Sequence, residues 1–425
     1  MLNQFITRFS GLGWASGYSE SPAQQDIEIM HSSALSLTIV SPDPDLELRE
    51  EARPEESPSM TVVYYAEWDA REDSGVLLKI KSQVKMWRSL GVNAYLIILS
   101  RSSPSERSKL IQLDGTILVE FSGRGGKLFQ KVRKGLSLRR LRKMVSGVRP
   151  DLIYFRETSW SPSLVSVLRS APVNIFEINS GGSERWTRQR GGLGRFALGV
   201  LSCNWLRRKA HAFICVTSEI ASECSHFNKP IEVVTNGFDV SGLNRTEPPR
   251  NRRPQLIFVG SGDQAWQGTD KLAALAKAFP AFDFHLVGSS VQSSKNLFSY
   301  GLLSQNELSQ MYPQMDIGIG TLALHRKGLQ EACPLKVREY LAHGLPVIGA
   351  YTDPDCSGSP FFLELPNTEE FLSSDLEAIQ SFVEAWKGRR VNRTEVLDTI
   401  GIAQKESQRV GFFKRVFEDA FLEHR

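Results

Sequence analysis

From residue 61 onward, short apolar segments alternate with longer segments whose apolar residues recur at helical spacing. The short segments are rich in β-branched and aromatic residues, which indicates strands at 61–68, 93–100, 117–121, 152–156, 173–178, 212–216, 232–235, 255–260, 284–288, 316–320 and 346–350. Short strands that are apolar throughout and separated by helices are typical of parallel sheets covered on both faces. The pattern therefore predicts an α/β protein.

The distribution of Pro and charge divides the chain into segments. Residues 246–254, TEPPRNRRP, are predicted to link a first domain at 60–245 to a second domain at 255–398. A C-terminal helical segment is predicted at 399–425. Residues 1–59 are rich in Pro, Ser and acidic residues and lack apolar periodicity, so we expect a disordered acidic leader that is dispensable for folding and activity.

Residues 331–350, EACPLKVREYLAHGLPVIGA, predict a loop, a helix and a short strand in that order. Pro334 suits the first position of a helix over residues 334–343, because its missing N–H has no helical partner there. Gly344 suits the left-handed residue that commonly follows a helix end. The predicted core face of this helix carries Val337, Tyr340 and Leu341.

Two glutamates eight positions apart accompany this helix. Glu331 lies in the loop before it, and Glu339 points away from its predicted core face. Two carboxylates near a helix N-terminus can accept hydrogen bonds from sugar hydroxyls, and the free N–H groups there favour an anion such as a diphosphate. On spacing alone, the pattern also fits a capped surface helix whose charges are solvated.

The same block resembles the donor-sugar motif of glycosyltransferase family four, in which E-x7-E precedes a helix that ends in G-x-P-V-I. The resemblance continues upstream through DIGIGTLALHRKG at 316–328 and, more weakly, over roughly residues 60–425. It implies the GT-B fold: two doubly wound, parallel-sheet (Rossmann-like) domains that face a central cleft. It also implies that the last helix crosses back to the first domain.

The resemblance implies an activity as well. The protein would transfer a sugar from a nucleotide-sugar donor to a glycan, lipid-linked or polysaccharide acceptor, with retention at the anomeric carbon, no metal and no cofactor. Glu331 would contact the transferred sugar and Glu339 the ribose of the nucleotide. The resemblance is to enzymes that synthesise polysaccharides, glycolipids and other parts of the cell envelope. It therefore implies that this protein is cytoplasmic or lies at the inner face of the membrane.

The chain departs from the family where the donor diphosphate binds. Many members have an Arg just after the strand and a Lys before K-G, and here Ser261 and Gln267 occupy those positions. Among the nearby cations, Lys336 is best placed to neutralise phosphate, so we predict it to be catalytic together with Glu331. The other predicted donor-binding residues are Glu339, Cys333, Pro334, Leu335, Arg326, Lys327, Gly260, Gln267 and Gly268.

Polar and glycine residues follow several predicted strands of the first domain, where ligands bind to open parallel sheets. Each position alone is more typical of a cap or turn than of a site, and their shared sheet edge is what favours a site. In the family, a Gly-containing loop and an N-G pair border the cleft. The predicted acceptor-side residues are Ser74, Gly75, Arg156, Asn179, Asn236 and Gly237.

Charge is unevenly distributed along the chain. Residues 1–60 hold ten acidic and three basic residues, whereas the whole chain has a net charge of +4, so the remaining residues are clearly basic. Basic residues with interleaved apolar ones at 124–149 and 185–209 predict either domain helices with solvated cations or elements that bind an anionic membrane surface. No nucleic-acid-binding motif is present. Five cysteines without a C-x-x-C pair predict neither disulfides nor a zinc site.

Other functions remain open at this stage. Residues 260–265 match the dinucleotide-binding pattern G-x-G-x-x-A, but Trp266 and Gln267 continue the loop where a helix is required, which disfavours an oxidoreductase. A nucleotide-sugar epimerase could share the same architecture. A catalytically silent sugar-nucleotide binder and a membrane-surface scaffold are the remaining alternatives.

Overall fold

The computed structural model describes residues 37–40, 60–68, 74–100, 116–120, 127–156, 158, 160–181, 193–244, 246–260, 264–289 and 291–422. These residues form two sheets of mainly parallel strands, each covered by helices on both faces. This is the predicted doubly wound α/β architecture, which is therefore confirmed.

The first sheet contains eight strands in the order β1-β4-β3-β2-β5-β6-β7-β8. Its strands are β1 (Leu37–Val40), β2 (Thr61–Glu67), β3 (Asn93–Ser100), β4 (Thr116–Glu120), β5 (Leu152–Arg156), β6 (Val173–Ile178), β7 (Ala212–Cys215) and β8 (Ile231–Val233). Its described helices are α1 (Gly75–Ser89), α2 (Lys127–Val148), α3 (Pro162–Leu168), α4 (Leu193–Lys209) and α5 (Ser218–Cys224). All strand pairs are parallel except β1 with β4.

The second sheet contains six parallel strands in the order β11-β10-β9-β12-β13-β14. Its strands are β9 (Gln255–Val259), β10 (Asp283–Val287), β11 (Leu297–Gly301), β12 (Ile317–Ile319), β13 (Val347–Gly349) and β14 (Phe362–Glu364). The following helices complete the chain: α6 (Thr269–Ala278), α7 (Gln305–Met311), α8 (Leu335–Ala342), α9 (Ser373–Trp386), α10 (Arg393–Ile400) and α11 (Ile402–Leu422).

Three strands and one helix break differ from the sequence prediction. Leu37–Val40 pairs with β4, so the expectation that residues 1–59 have no structure is wrong for these four residues. The strands β11 and β14 were not predicted, because each lies at a sheet edge and lacks a continuous apolar run. The last helix is interrupted at Gly401, where Phe238 exchanges backbone hydrogen bonds with Ile400 and Ile402.

The C-terminal helix α11 packs on the first sheet rather than on the second. Val410, Phe412, Phe413 and Val416 belong to the same buried cluster as Trp87 of α1. The ring of Phe413 lies 5.1 Å from that of Trp87 in an edge-to-face contact. This packing joins the end of the chain to the first sheet, and burial of several large apolar side chains stabilises the junction.

Strand order reverses once in each sheet, between β2 and β5 and between β9 and β12. Crevices for ligands form at the carboxyl ends of strands on either side of such a reversal. The helix α1 follows β2, and α8 lies between β12 and β13, so the N-terminus of each helix borders one crevice. A Cβ placed on Gly75 would lie 3.9 Å from Leu335 Cδ1, so the two helix N-termini face each other across the cleft.

Candidate functional site

The helix α8 begins one residue later than predicted. Pro334 has extended backbone angles and is the N-cap rather than the first helical residue, and no side chain caps the helix there. Since Pro334 has no N–H, Leu335 and Lys336 carry the first N–H groups available to an anion. The helix ends at Ala342, one residue before the predicted end, and Gly344 has the predicted left-handed conformation at φ +73°.

Lys336 lies between α8 and the end of β9. Its Nζ donates a 2.9 Å hydrogen bond to Gln267 Oε1 and lies 3.7 Å from the centre of the Phe258 ring. A Cβ on Gly260 would lie 3.1 Å from the same Gln267 oxygen, so a glycine allows this close approach. The structure therefore brings together three of the predicted donor-binding positions: Gly260, Gln267 and Lys336.

The ammonium of Lys336 has no carboxylate partner among the residues that the structure describes. Burial lowers the pKa of Lys336 well below its ordinary value, because desolvation disfavours the charged form. A phosphate placed next to the ammonium would supply the missing counter-charge. This side chain is thus suited to binding an anion.

The other predicted cations have different surroundings. Arg326 pairs with Asp270 at 2.8 Å and also with Glu369, so its charge is already balanced. The Nζ of Lys327 lies 3.5 Å from the centre of the Trp266 ring. That Arg326 and Lys327 bind the donor stays a prediction, and the ion pairs of Arg326 do not favour it.

Glu339 lies next to Gln305, at the start of α7, and next to Tyr312, which directly follows α7. Burial raises the pKa of Glu339 to about 7, and interactions with the Gln305 and Tyr312 side chains counteract this rise only in part. No cation pairs with the Glu339 carboxylate within the described ranges. The Tyr312 hydroxyl and the Gln305 side chain face this carboxylate. Glu339 therefore has polar neighbours but, among the described residues, no cation that balances its ionised form.

Glu331 bridges the cleft. Its Oε2 accepts a 2.9 Å hydrogen bond from the backbone N–H of Glu219, in the first turn of α5. In return, Oε2 of Glu219 accepts hydrogen bonds from the N–H groups of Gln330 and Glu331, at 2.9 and 2.8 Å. This reciprocal pair positions the Glu331 carboxylate between the two sheets. Sequence reasoning missed Glu219, since an acidic residue in a first helical turn is common.

Arg338 forms a buried ion-pair network that sequence reasoning also missed. Its guanidinium is fully buried and pairs with Asp353, with a 2.8 Å bond to Oδ1, and with Asp355 at 2.5 Å. Asp355 also pairs with Lys405 of α11 at 2.5 Å and accepts a bond from Thr235. The sequence signal was weak, because an Arg next to the core face and a D-P-D turn both resemble solvated surface residues.

Asn236 and Cys333 join the first sheet to the start of α8. The Nδ2 of Asn236 donates to the Cys333 carbonyl at 2.6 Å, and its N–H donates to the Cys333 Sγ at 3.0 Å. The Nε of Arg338 donates to the Asn236 carbonyl at 3.2 Å. Burial raises the pKa of the Cys333 thiol to about 12, so the thiol stays neutral. Both residues therefore have structural contacts at the domain junction.

The remaining predicted glycines and Ser74 have clear local roles. Ser74 caps α1 by accepting the Leu77 N–H at 3.2 Å. Gly268 has φ +77°, and a Cβ there would lie 2.8 Å from Leu322 Cβ. A Cβ on Gly237 would lie 2.8 Å from the backbone of Ile402, so this glycine allows α11 to pack closely. Whether these residues also contact acceptor or donor stays a prediction.

Arg156 and Asn179 lie at the carboxyl ends of β5 and β6, next to Lys79 of α1. The Nζ of Lys79 donates to Glu177 Oε1 at 2.8 Å and to Asn179 Oδ1 at 3.2 Å. The Nε of Arg156 lies 3.6 Å from Glu177 Oε2, which also accepts the Tyr64 hydroxyl at 2.7 Å. Burial alone would raise the pKa of Glu177, but Lys79 and Arg156 outweigh it and hold the pKa well below its ordinary value.

The basic segments form α2 and α4, and their described residues include exposed apolar side chains. On α2, Val132 and Leu136 are exposed and share a stripe with Arg139 and Lys143. Leu201 of α4 is exposed by 66%. Residues 124–126 and 185–192 of the basic segments, and also Ser261, lie outside the described residues. Of the helices described, none is both long and apolar enough to cross a membrane.

The described part of the chain contains no group of three His, Cys, Asp or Glu side chains arranged to hold a metal ion. All five cysteines are buried and none of them forms a disulfide.

Comparison with known structures defines the fold as GT-B, the fold that the family resemblance implied. Sucrose-phosphate synthase from Thermosynechococcus elongatus superimposes with a TM-score of 0.64 at 13% identity, covering 85% of this chain and 100% of that one. Anabaena HepE, solved with UDP and glucose, gives 0.60 at 13% identity over 84% of this chain and 99% of its own.

An epimerase is also similar in structure. UDP-GlcNAc 2-epimerase from Neisseria meningitidis, solved with UDP-GlcNAc, gives a TM-score of 0.50 at 9% identity, over 84% of this chain and 100% of its own. No protein-family model matches the sequence, and no curated protein matches it. At these identities the likeness concerns the fold, so the activity has to be argued from the site.

Proposed function

We propose that this protein is a glycosyltransferase that moves a sugar from a nucleotide-sugar donor to an acceptor held by the first sheet. The observation that carries the proposal is a pair of ionisable side chains on α8, Lys336 and Glu339, which lie three residues apart and have no ion-pair partner among the described residues. Residues three apart on a helix are neighbours, so one ligand can reach both. A nucleoside diphosphate has the phosphate and the ribose hydroxyls that these groups require.

Each residue of the site then has a defined task. Lys336 and the N–H groups of Leu335 and Lys336 bind the diphosphate and stabilise its charge as the sugar leaves. Glu339 accepts hydrogen bonds from the ribose, and Glu331 accepts them from hydroxyls of the transferred sugar. Fixed donors of this kind stabilise a leaving diphosphate without rearranging during the reaction.

We propose retention at the anomeric carbon without a metal ion. The departing diphosphate takes the proton of the acceptor hydroxyl, the bond between the anomeric carbon and the diphosphate oxygen breaks, and a new bond forms to the acceptor oxygen on the same face. This mechanism requires no general base from the protein. It is supported by the position of the Lys336 amine in the first turn of α8, where this side chain and the free backbone N–H groups favour an anionic leaving group.

A panel of nucleotide sugars and nucleoside diphosphates tests the proposal through thermal stabilisation. A ligand present at ~100 times its dissociation constant adds about 2.7 kcal/mol to the free energy of unfolding. We expect one nucleoside diphosphate to stabilise the wild-type protein, and this effect to be lost in Lys336→Met but kept in the control Lys277→Met, an exposed residue of α6. If no nucleotide stabilises the protein, the donor site does not exist.

An epimerase is the second candidate, because a 2-epimerase shares the fold. The two activities differ in their products: an epimerase converts the donor into a second nucleotide sugar without any acceptor, whereas a glycosyltransferase releases nucleoside diphosphate and needs an acceptor. A silent sugar-nucleotide binder would bind the donor and yield neither product. Chromatography of the nucleotides after incubation, with and without acceptor extract, separates these three outcomes.

We further propose that α2 and α4 attach the protein to anionic membranes, which would bring it to a lipid-linked acceptor. The support is the exposed stripe of α2, with Val132 and Leu136 next to Arg139 and Lys143, because apolar contact and cationic charge together favour such a surface. Each cation contributes about 1 kcal/mol near an anionic surface. Joint Arg139→Glu and Lys143→Glu substitution should abolish salt-sensitive sedimentation with anionic vesicles, whereas Lys277→Glu should not.

A further inference from the structure

Three buried polar atoms at the carboxyl edge of the first sheet have no hydrogen-bond partner: Arg156 Nη1, Thr158 Oγ1 and Asn179 Nδ2. Leaving such groups unpaired costs free energy, so an unpaired set at one place needs an explanation. Within β5 and β6, Arg156 pairs in register with Glu177. Thr158 and Asn179 each follow this pair by two residues, beyond the ends of β5 and β6.

The side chains share one face of the sheet. Lys79 bonds to both Glu177 and Asn179, and Arg156 lies 3.6 Å from Glu177, so all four side chains meet beneath α1. The unpaired Arg156 and Asn179 donors thus belong to one side-chain cluster at the carboxyl ends of β5 and β6, next to the point where the order of the first sheet reverses. Thr158 follows Arg156 two residues later, beyond the end of β5.

The charges of this region do not balance among the described residues. Lys79 and Arg156 provide two positive charges, and Glu177 provides one negative charge. The neighbouring Arg409 is balanced by Glu406 at 2.8 Å. Counted over the residues that the structure describes, this largely buried cluster thus has one more positive than negative charge, which an anionic ligand would balance.

We propose that Arg156, Thr158 and Asn179 form a subsite for a phosphoryl group of the acceptor substrate. A guanidinium N–H, a hydroxyl and an amide N–H match the three free oxygens of a phosphoryl group better than the two oxygens of a carboxylate. The region lies on the first sheet, across the cleft from Lys336, so it is distinct from the donor diphosphate site. About 15% of the Arg156 side-chain surface is exposed to solvent, so an incoming anion can reach it.

This proposal rests on the proposed glycosyl transfer, because only that activity makes the ligand an acceptor. The binding test of the subsite does not depend on that activity. The phosphoryl group could be carried by a soluble sugar phosphate or by a lipid-linked phosphate, and both have the same recognition chemistry. The Lys336→Met variant removes the other cationic site, so the remaining anion binding can be measured without any nucleotide. Failure of nucleotide binding would overturn the glycosyltransferase proposal while leaving this measurement interpretable.

The decisive measurement is calorimetric titration of Lys336→Met protein with inorganic phosphate and with acetate, with and without Asn179→Asp. The added carboxylate of Asn179→Asp keeps the side-chain shape and the contact with Lys79, but repels an anion. We expect phosphate to bind at least tenfold tighter than acetate, and Asn179→Asp to weaken phosphate binding by about tenfold or more. The control Asn244→Asp makes the same change at an exposed position and should have no effect.

Two further arms complete the test. Thr158→Val removes one hydroxyl without adding charge and should weaken phosphate binding by several-fold, which covers the case that Asn179→Asp does not fold. Competition by hexose 6-phosphate identifies a soluble source, and competition by phosphatidic acid vesicles but not by phosphatidylcholine vesicles identifies a lipid source. Phosphate binding that is equal to acetate binding, or unchanged in both variants, would overturn the proposal.

Discussion

Arg338 and Lys336 lie on the same eight-residue helix, the first fully buried and the second half-buried, and their surroundings are opposite. Arg338 is enclosed by Asp353 and Asp355, whereas no described carboxylate pairs with Lys336. Glu339, the next residue after Arg338, also has no cation partner in the described ranges. A buried charge with a partner holds the fold together, and a buried charge without one lowers stability unless a ligand binds.

The largest expected effect of a substitution on stability is at Arg338. The Arg338→Met substitution keeps much of the side-chain volume but leaves Asp353 buried without its cation, which should cost about 3–5 kcal/mol of the free energy of unfolding. Urea denaturation of the variant measures this loss, with the exposed Arg389→Met as the control. A loss below about 1 kcal/mol would mean that the network does not stabilise the domain junction.

Lys336→Met should raise the free energy of unfolding, whereas Arg338→Met should lower it. The pKa of Lys336 is depressed in the folded protein, so its burial costs stability at every pH below the pKa of the unfolded chain, which includes neutral pH. We therefore expect a higher melting temperature, together with a 10- to 100-fold loss of nucleoside diphosphate affinity, roughly the value of a charge-assisted hydrogen bond. Scanning calorimetry and titration measure the two effects. A variant that is both less stable and equally able to bind diphosphate would remove Lys336 from the site.

Glu339→Gln tests the contrast between paired and unpaired charges through the pH dependence of stability. The pKa of Glu339 is about 7 in the folded protein against an ordinary value of 4.5, so the wild type loses stability as pH rises from about 4.5 through 7. The loss should reach roughly 2–3 kcal/mol at pH 8, and Glu339→Gln should avoid it. Nucleotide affinity should rise with pH in the wild type, because the ionised carboxylate accepts ribose hydroxyls, and stay low and flat in the variant.

Melting temperatures and nucleotide titrations at pH 5 and pH 8 measure these trends. The control is Glu377→Gln, an exposed carboxylate on α9. Identical pH profiles for wild type and Glu339→Gln would show that Glu339 is an ordinary solvated carboxylate, and its assignment to the ribose would be withdrawn.

The smallest expected effect is at the cleft bridge between Glu331 and Glu219. Glu331→Gln should lower the rate of sugar transfer by about one to two orders of magnitude while nucleoside diphosphate still binds, because the amide loses a charged acceptor for sugar hydroxyls. Glu219→Ala frees the loop that carries Glu331 and should lower kcat several-fold without changing diphosphate affinity. Transfer assays beside titration test both. Weakened diphosphate binding in either variant would contradict a role confined to the transferred sugar.

Much of the architecture was determined by the sequence alone. The apolar runs of β3, β5 and β6 match the predicted bounds residue for residue, because a strand buried on both faces needs a continuous apolar segment. The edge strands β1, β11 and β14 were not predicted, because these strands depend on pairing with a neighbour and lack a distinctive composition of their own. Val337, Tyr340 and Leu341 are buried as their helical spacing predicted, and Gly344 adopts the left-handed angle.

The tertiary structure alone decided which charges are free. The sequence shows Arg326 and Lys336 as cations near the donor motif and gives no sign of the role of Arg338, because pairing depends on residues distant in the chain. Arg326 pairs with Glu369 and Arg338 with Asp353, while the described contacts of the Lys336 amine are the amide oxygen of Gln267 and the ring of Phe258. Electrostatic energy depends on distance and burial in space, and neither is written in the local sequence pattern.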